Sequence, residues 1–462
     1  VAYTGSTAAI LSNYDEVLKT YYLPAIQEQL NQDTILSDLI DTNETDVSGK
    51  NATIECHYGR TKGFGARLES DTLPDADYQK FKTATVPMRY NYGRVTFSGP
   101  TIAATRDEKG AYARVMDTEI RGVTNDLMKD INRQLWGCGY GMLGHCVAAD
   151  TTAIELAKKY RGNTWGDGFG TTFGGKYFEE NAGGNVVVIA SFSSAAATDF
   201  AIDTTDIAVT AVTVGTSTDV LTNTTPGQST AEGDFLVRPS AVRTVLHTSD
   251  AGYARKEMVG LRGIVTNEDL DVIPLYDATN SFGSGLPTAD GLQGLAVGTY
   301  TWWKAQVDTH PSGRYAGQRA LSFELMQKMF DKVELKAGKG YGPDLIITSH
   351  AMRREYLNLC QTDRRSVNTM TLDGGWEALD YNGVPLTVDF DAIDGEIYFL
   401  TTKDLNIYRM SDYDWMSKDG AVLSRIAEYD AYEAVLFRYA ELGTKRRNSS
   451  GVLCDLAYTA TN

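Results

Sequence analysis

The chain has 462 residues, 42% hydrophobic and 22% charged, the composition of a globular protein with room for two or three domains and a sizeable core. Its formal net charge of −17 argues against a dedicated nucleic-acid-gripping domain, which needs a basic surface, but not against a protein that encloses nucleic acid. No apolar run approaches the ~18 residues of a membrane-spanning helix, no basic-then-apolar leader opens the sequence, and the five cysteines, few and odd in number, read as thiols of a protein made in a reducing cytosol.

In chain order, the first predicted element is a helix over residues 12–32. Ser12 or Asn13 can cap it, Val17, Leu18, Tyr21, Tyr22 and Ile26 recur at helical spacing, and Pro24 kinks or ends its first segment. A long hairpin follows, with arms at 52–58 and 78–98. The second arm alternates as a two-sided exposed strand does, and Pro87 and Gly93 mark it as an edge or bulged strand. Extended at ~3.3 Å per residue, such an arm reaches roughly 60 Å. Between the arms, residues 59–74 are too polar and glycine-rich to fill a core. Their surroundings mix both signs of charge in Arg60, Lys62, Arg67, Glu69, Asp71 and Asp75. One reading is a solvated loop; the other is an inter-subunit arm whose ion pairs fix register more than they add affinity. A hairpin that cannot bury its own tip points to a neighbouring copy as its partner.

From residue 107 to 136 the period becomes helical. Tyr112, Val115, Met116, Ile120, Val123, Leu127, Ile131 and Leu135 form one stripe, no proline interrupts it, and Gly110 and Gly122 are tolerable costs. At 1.5 Å per residue this helix is ~45 Å long. A burst of glycines over 137–144 stops it. Residues 164–298 are rich in Gly, Thr, Ser and Ala, with β-prone runs at 186–192, 207–214, 233–238 and 241–247; they predict an inserted β-rich unit that ends in an exposed loop over 280–298. The last third reads as mixed α/β. Leu321, Leu325, Met326, Met329 and Val333 face one way on a helix over 321–337, a buried strand covers 343–348, and Ser349 caps a helix to about Cys360. An Asn-Gly turn lies within 381–388, and strands follow at 396–400, 405–409, 421–426 and 431–439.

No catalytic, cofactor-binding or metal-ligating residue stands out. Gly139-x-Gly-x-x-Gly144 matches the dinucleotide fingerprint letter by letter, but it follows a helix C-terminus, where the dipole repels phosphate; a helix stop and turn is expected instead. Cys138, His145 and Cys146 have no zinc spacing and read as thiols with a nearby imidazole. Asp389, Asp391 and Asp394 read as a solvated turn or a weak cation site. Trp136, Trp165, Trp302 and Trp303 keep open an extracellular glycan-binding or glycan-active β-protein, although such aromatics more often fill cores.

The order of these elements resembles the major capsid protein of tailed bacteriophages, with its Hong Kong 97-like fold. The run Asp-Ile-Asn-Arg-Gln-Leu-Trp-Gly at 130–137 is similar to the family's junction between spine helix and axial domain. The run from Gly342 to His350, then Arg354, Tyr356 and Leu357, then 381–386, is similar to its axial strand–helix–strand unit. The resemblance implies an α+β chain divided into an N-terminal arm (1–46), an extended E-loop hairpin (47–98), a peripheral domain with the spine helix (99–140), an axial domain (141–400) with the β-rich insertion at about 164–298, and a return to the peripheral domain (401–462). It implies a structural protein and not an enzyme, assembling as hexamers and pentamers into an icosahedral head shell around double-stranded DNA. Scaffold, portal and a decoration or cement protein are the implied partners, with the virion capsid as location and the host bacterial cytoplasm as place of synthesis. An encapsulin-like compartment shell, which shares the fold, is the alternative within it. Some members join an E-loop lysine to a neighbour's asparagine with a glutamate as catalyst. Lys62 has the position, but no motif supplies the other two residues, and no crosslink is expected.

Overall fold

The computed structural model describes residues 34–49, 51–69, 71–100, 109–139, 141–145, 153–157, 159–160, 163–164, 185–189, 199–201, 207–214, 218–223, 235–238, 245–247, 256–267, 291–312, 318–338, 340–362, 369–371, 377–417 and 422–458. The helix predicted at 12–32 lies outside them.

The long helix, Lys109–Trp136, runs for 28 residues, ~42 Å. Leu127, Ile131 and Leu135, four apart on one stripe, are buried along its C-terminal third, and Trp136 packs edge-on against Tyr398 at 5.4 Å. The helix stops where the glycines begin. Gly139 and Gly141 take φ of +88° and +66°, which a side chain would resist, and swing the chain into the strand Met142–His145. The Gly-x-Gly run is therefore a helix stop and turn.

Two sheets flank this helix. In one, the 14-residue strand Ala431–Thr444 pairs antiparallel with Leu405–Trp415 on one side and with Arg89–Ser98 on the other, while Thr42–Asn43 adds in parallel beside Leu405–Trp415. Both long strands outrun their predicted lengths, because pairing with each other stabilises polar residues that alternation alone leaves undecided. Ala434, Leu436, Ala440 and Leu442 turn one face toward the core. Gly93 is not a bulge: its ladder with Ala431–Thr444 keeps register from end to end. A Cβ at Gly93 would sit 2.8 Å from a methyl of Val123, so its lack of side chain lets the long helix approach the sheet.

The second sheet has seven strands in the order Gln306–Asp308, Gly451–Leu453, Ile397–Leu400, Leu345–Thr348, Val384–Val388, Glu377–Tyr381, Thr369–Thr371. Its central strands are buried on both faces. Leu345, Ile347, Tyr398, Leu400 and Val452 join the long helix in one core. Ile346, Ile397, Phe399 and Leu453 meet the helices Phe323–Ala337 and His350–Thr362 in a second core, through Met326, Met329, Val333, Met352, Tyr356 and Cys360. The Ser322 hydroxyl accepts from the Leu325 amide at 3.2 Å, and the Ser349 hydroxyl from the Met352 amide at 3.4 Å. Asn382 and Gly383, φ +55° and +80°, make the two-residue hairpin turn that Asn-Gly predicts.

A third, six-stranded sheet holds the β-prone middle, in the order Met142–His145, Phe235–Val237, Asn185–Ile189, Ile207–Val214, Thr218–Asn223, Ala153–Ala157. It starts with the strand directly after the long helix, upstream of the predicted onset at 164. Residues 256–267 leave this unit. Met258, Val259, Leu261, Ile264 and Val265 pack in the core of the long helix, and a Cβ at Gly260 would lie 2.2 Å from the Leu135 carbonyl oxygen. The exposed loop expected over 280–298 is corrected for its described end: Leu292, Leu295 and Val297 are buried, and residues 280–290 lie outside the description.

Candidate functional site: the projecting hairpin

Asn51–Gly59 and Lys80–Pro87 form an antiparallel hairpin from Asn51 opposite Pro87 to Gly59 opposite Lys80. Ala52, Ile54 and Cys56 on one strand and Ala84 and Val86 on the other are buried, while Thr53, Glu55 and His57 face solvent. The buried side rests on Leu295, Trp303 and Tyr408. Tyr58 stacks on Trp302 with ring centroids 5.1 Å apart and 7° between planes, and the Lys82 ammonium lies 5.4 Å from the Tyr300 ring centre. Trp303 Nε1 donates to the Leu292 carbonyl at 3.2 Å. Two of the four tryptophans kept open as sugar platforms, Trp302 and Trp303, thus serve as the seat of the hairpin.

The hairpin is shorter than predicted. Residues 78–98 are not one arm: the chain leaves the hairpin after Pro87, Met88 is buried beneath it, and Arg89–Ser98 belongs to the sheet of Ala431–Thr444. Proline has no amide hydrogen to continue a ladder, and the paired arm spans roughly 30 Å.

Beyond the paired strands, residues 60–69 and 71–79 form a tip without strands. Local polar contacts shape it. The Lys62 amide donates to Asp77 Oδ2 at 3.0 Å, the Leu68 amide to Asp71 Oδ2 at 3.0 Å, and Arg67 Nε to the Thr72 carbonyl at 3.0 Å. The amides of Tyr78 and Lys62 hold the Asp77 carboxyl below its usual range. Arg60, Lys62, Arg67, Glu69, Asp71 and Asp75 are all exposed on this tip. It also carries a feature that the reading of its charges overlooked. Phe64, Leu68, Leu73 and Tyr78 on the tip, with Phe81 at the start of the returning strand, are 72%, 79%, 84%, 74% and 64% exposed. The signal was present: five large apolar residues in eighteen, with no period that could turn them to a core.

Of the three carboxylates read as a solvated turn or weak cation site, Asp389 and Asp391 are buried and Asp394 is half-buried. Asp389 has no exposed surface and Asp391 almost none. Asn132 Nδ2 donates to Asp391 Oδ2 at 2.7 Å and to both oxygens of Asp389 at 3.3 and 3.4 Å, and the Leu36 amide donates to Asp389 Oδ2 at 3.0 Å. Burial first, and the Asp391 charge second, push the Asp389 carboxyl up to about 6. Beside Asn132 on the same helix lies a compensated network. Arg133 donates to Asp130 at 3.0 Å and to Glu257 at 2.6 Å, and Arg238 pairs with Asp130 as well. Burial alone would raise Asp130, but the two guanidiniums bring its carboxyl down to about 2. Cys56, Cys138, Cys360 and Cys454 are buried thiols, and Cys146 lies outside the described residues. Among the described residues no group of three His, Cys, Asp or Glu side chains is arranged for a metal ion, and no helix is long and apolar enough to cross a membrane.

No protein-family profile matches the sequence, and no curated protein matches it. Among solved structures, the capsid subunit of cyanophage A-1(L) aligns over 97% of this chain and 99% of its own, with a TM-score of 0.52 at 13% identity. The chain has a phage-capsid fold. Two further capsids align over similar spans: the empty GTA particle (97% and 99%, TM-score 0.44, 8% identity) and Myoviridae phage XM1 (97% and 98%, 0.42, 8%). On this capsid fold the hairpin tip gathers several large apolar side chains in solvent.

Proposed function

We propose that this chain is the major capsid protein of a tailed phage, assembling as hexamers and pentamers into an icosahedral head shell that encloses double-stranded DNA. The observation that carries this reading is the hairpin tip. A lone globular protein gains nothing from holding Phe64, Leu68, Leu73 and Tyr78 in water at the end of a seated arm. A neighbouring copy that covers them gains their burial. The whole-length likeness to a capsid subunit supports the same reading. The role is structural and not enzymatic: rigid sheets and a long helix hold an arm whose Arg60, Lys62, Arg67, Glu69, Asp71 and Asp75 set register against the next subunit while its apolar residues supply affinity.

The domain plan goes with this function. Residues 1–46 are the arm, 47–98 the E-loop region, 99–140 the peripheral domain with its spine, 141–400 the axial domain with its insertion, and 401–462 the return. Scaffold, portal and a cement protein are the proposed partners. The net charge of −17 suits a wall that encloses DNA without holding it tightly. The place is the virion, after synthesis in the host cytoplasm.

The test is electron microscopy of the purified native protein after size exclusion, beside a variant lacking residues 64–74. Uniform polyhedral shells or capsomer rings from the native chain, with a folded but unassembled variant, are expected. A particle of a single chain under all conditions, or normal shells from the deletion, overturns the reading.

A further inference from the structure

The turn at residues 389–391 joins three parts of the chain that are far apart in sequence. Asp389 accepts from the amide of Leu36 on the short helix Ile35–Leu39, and its partner Asp391 is held by Asn132 on the long helix. The Asp391 amide donates to Asp389 Oδ1 at 2.8 Å, and the Asp389 amide donates to the Thr348 carbonyl at 3.1 Å, which anchors the turn to the seven-stranded sheet. Ile35, Leu36 and Ile40 are buried beside it, so the short helix is docked on the body, with this carboxylate as its polar tie.

Two carboxylates meet here at one amide nitrogen, in a place without water access to Asp389. Further ionisable groups lie on the elements packed around the pair. On the short helix it is Asp38, whose carboxyl is itself raised by burial. On the long helix it is Lys129, whose ammonium lies 4.1 Å from the ring centre of the intervening Phe390. On the turn it is Asp394, and on the adjoining strand it is Glu396, which accepts from the Tyr398 hydroxyl at 2.7 Å. The buried guanidinium of Arg262 acts on Tyr398 from the same side.

We propose that Asp389 and Asp391 form a proton-operated latch, which holds helix Ile35–Leu39 on the body while the pair keeps one proton and loosens it once both carboxyls are ionised. The reasoning is linkage. Undocking the short helix opens Asp389 to water, and an ionised carboxylate gains far more from water than a neutral one does. Opening is therefore increasingly favoured as pH rises from about 4 to the native titration of Asp389 at about 6, and levels off above it. The direction is the one burial gives an acid, and the opposite of a carboxylate held in an ion pair: neutral solution loosens the segment that leads into the body, and acid clamps it. The latch belongs to the single chain and does not rest on the shell reading.

Hydrogen–deuterium exchange of the amides at 35–40 tests it, on the full chain between pH 5 and 7.5, after correction for intrinsic exchange. In the wild type the opening constant is expected to rise about tenfold across this range, because a carboxyl at about 6 in the closed state and near 3.9 when open has already passed much of its linkage window at pH 5. Asp389→Asn, which keeps the acceptor and removes the charge, is expected to give strong, pH-independent protection. If that variant does not fold, Asp391→Asn serves: loss of the neighbouring charge shifts the wild-type profile to lower pH. A wild-type profile that is flat, or protection that grows with pH, overturns the proposal, as does an unshifted pH dependence in either variant.

Discussion

Glu441 shows what one buried side chain can hold. Its carboxylate accepts from the Val259 amide at 2.7 Å and from Arg89 Nε at 3.2 Å, so it joins the strand Ala431–Thr444 to the segment after the β-rich unit and to the first residue of Arg89–Ser98. Truncation removes one partner of a buried ion pair and leaves a backbone donor unsatisfied. Glu441→Ala is expected to cost about 3–5 kcal/mol in denaturant unfolding, and Glu441→Gln clearly less. Gly260→Ala tests packing in place of charge. Its Cβ would meet the Leu135 carbonyl, backbone that cannot swing aside, and a loss of about 1–3 kcal/mol is expected from the same measurement. The two titrating carboxyls pull in opposite directions. Asp130, lowered to about 2, adds stability at neutral pH that is lost as pH falls from about 4 toward 2. Asp389, raised to about 6, makes the native state bind a proton more tightly than the unfolded chain, so its contribution falls as pH rises from about 4 to 6. Asp389→Asn should accordingly raise the melting temperature at pH 7.5 and leave it nearly unchanged at pH 4.

At the scale of elements, the hairpin is held at its root and open at its end. Its small residues Ala52 and Ala84 let it lie close on Trp303 and Tyr408, and the Tyr58–Trp302 stack braces it where the paired strands give way to the tip. Tyr58→Ala and Trp302→Ala are each expected to speed amide exchange across 51–87 without changing exchange in Leu345–Thr348. The double variant should show a coupling of about 0.5–1.5 kcal/mol, the usual worth of an aromatic pair. Equal loosening of both regions would mean that the stack supports the body and not the arm. The long helix is tied differently. Its Asn132, Arg133 and Gln134 are all buried in polar contacts with the 389–391 turn, Glu257 and Asn91, so its last turn is a junction as well as a core element.

For the whole molecule, the proposed assembly predicts separate parts for the arm and the body. Replacing Phe64, Leu68 and Leu73 together with Ser should leave the melting temperature of the isolated subunit unchanged and lower the yield of shells, because these side chains touch little of their own chain. Charge reversal at Lys62 or Arg67 should act mainly on the rate of assembly and its salt dependence, as charges at a rim do. Shells boiled in denaturant should run as single chains; a ladder of covalent multimers would instead assign Lys62 the crosslinking role that no motif supports.

Much of this protein is legible in order along its sequence. The stripe through Leu127, Ile131 and Leu135, the caps at Ser322 and Ser349 and the Asn-Gly turn at 382–383 are local signals, and periodicity, hydrogen-bonding side chains and positive-φ residues act within a few residues of themselves. That is why the helices and most strands of the last third, and with them the capsid-like order of elements, could be read in advance. Pairing and burial between distant segments could not. Arg89–Ser98 reads as the continuation of a hairpin arm, yet its partner is Ala431–Thr444, more than three hundred residues away. Asp389 and Asp391 read as solvated because acidic residues usually are, yet the long helix and a short N-terminal helix close over them. Met258, Val259 and Leu295 sit in stretches rich in glycine and threonine, and only the assembled core shows that they fill it. Alternation and helical period state which faces want burial; which surfaces meet is settled by the summed packing of the whole chain, and that sum is a property of the tertiary structure alone.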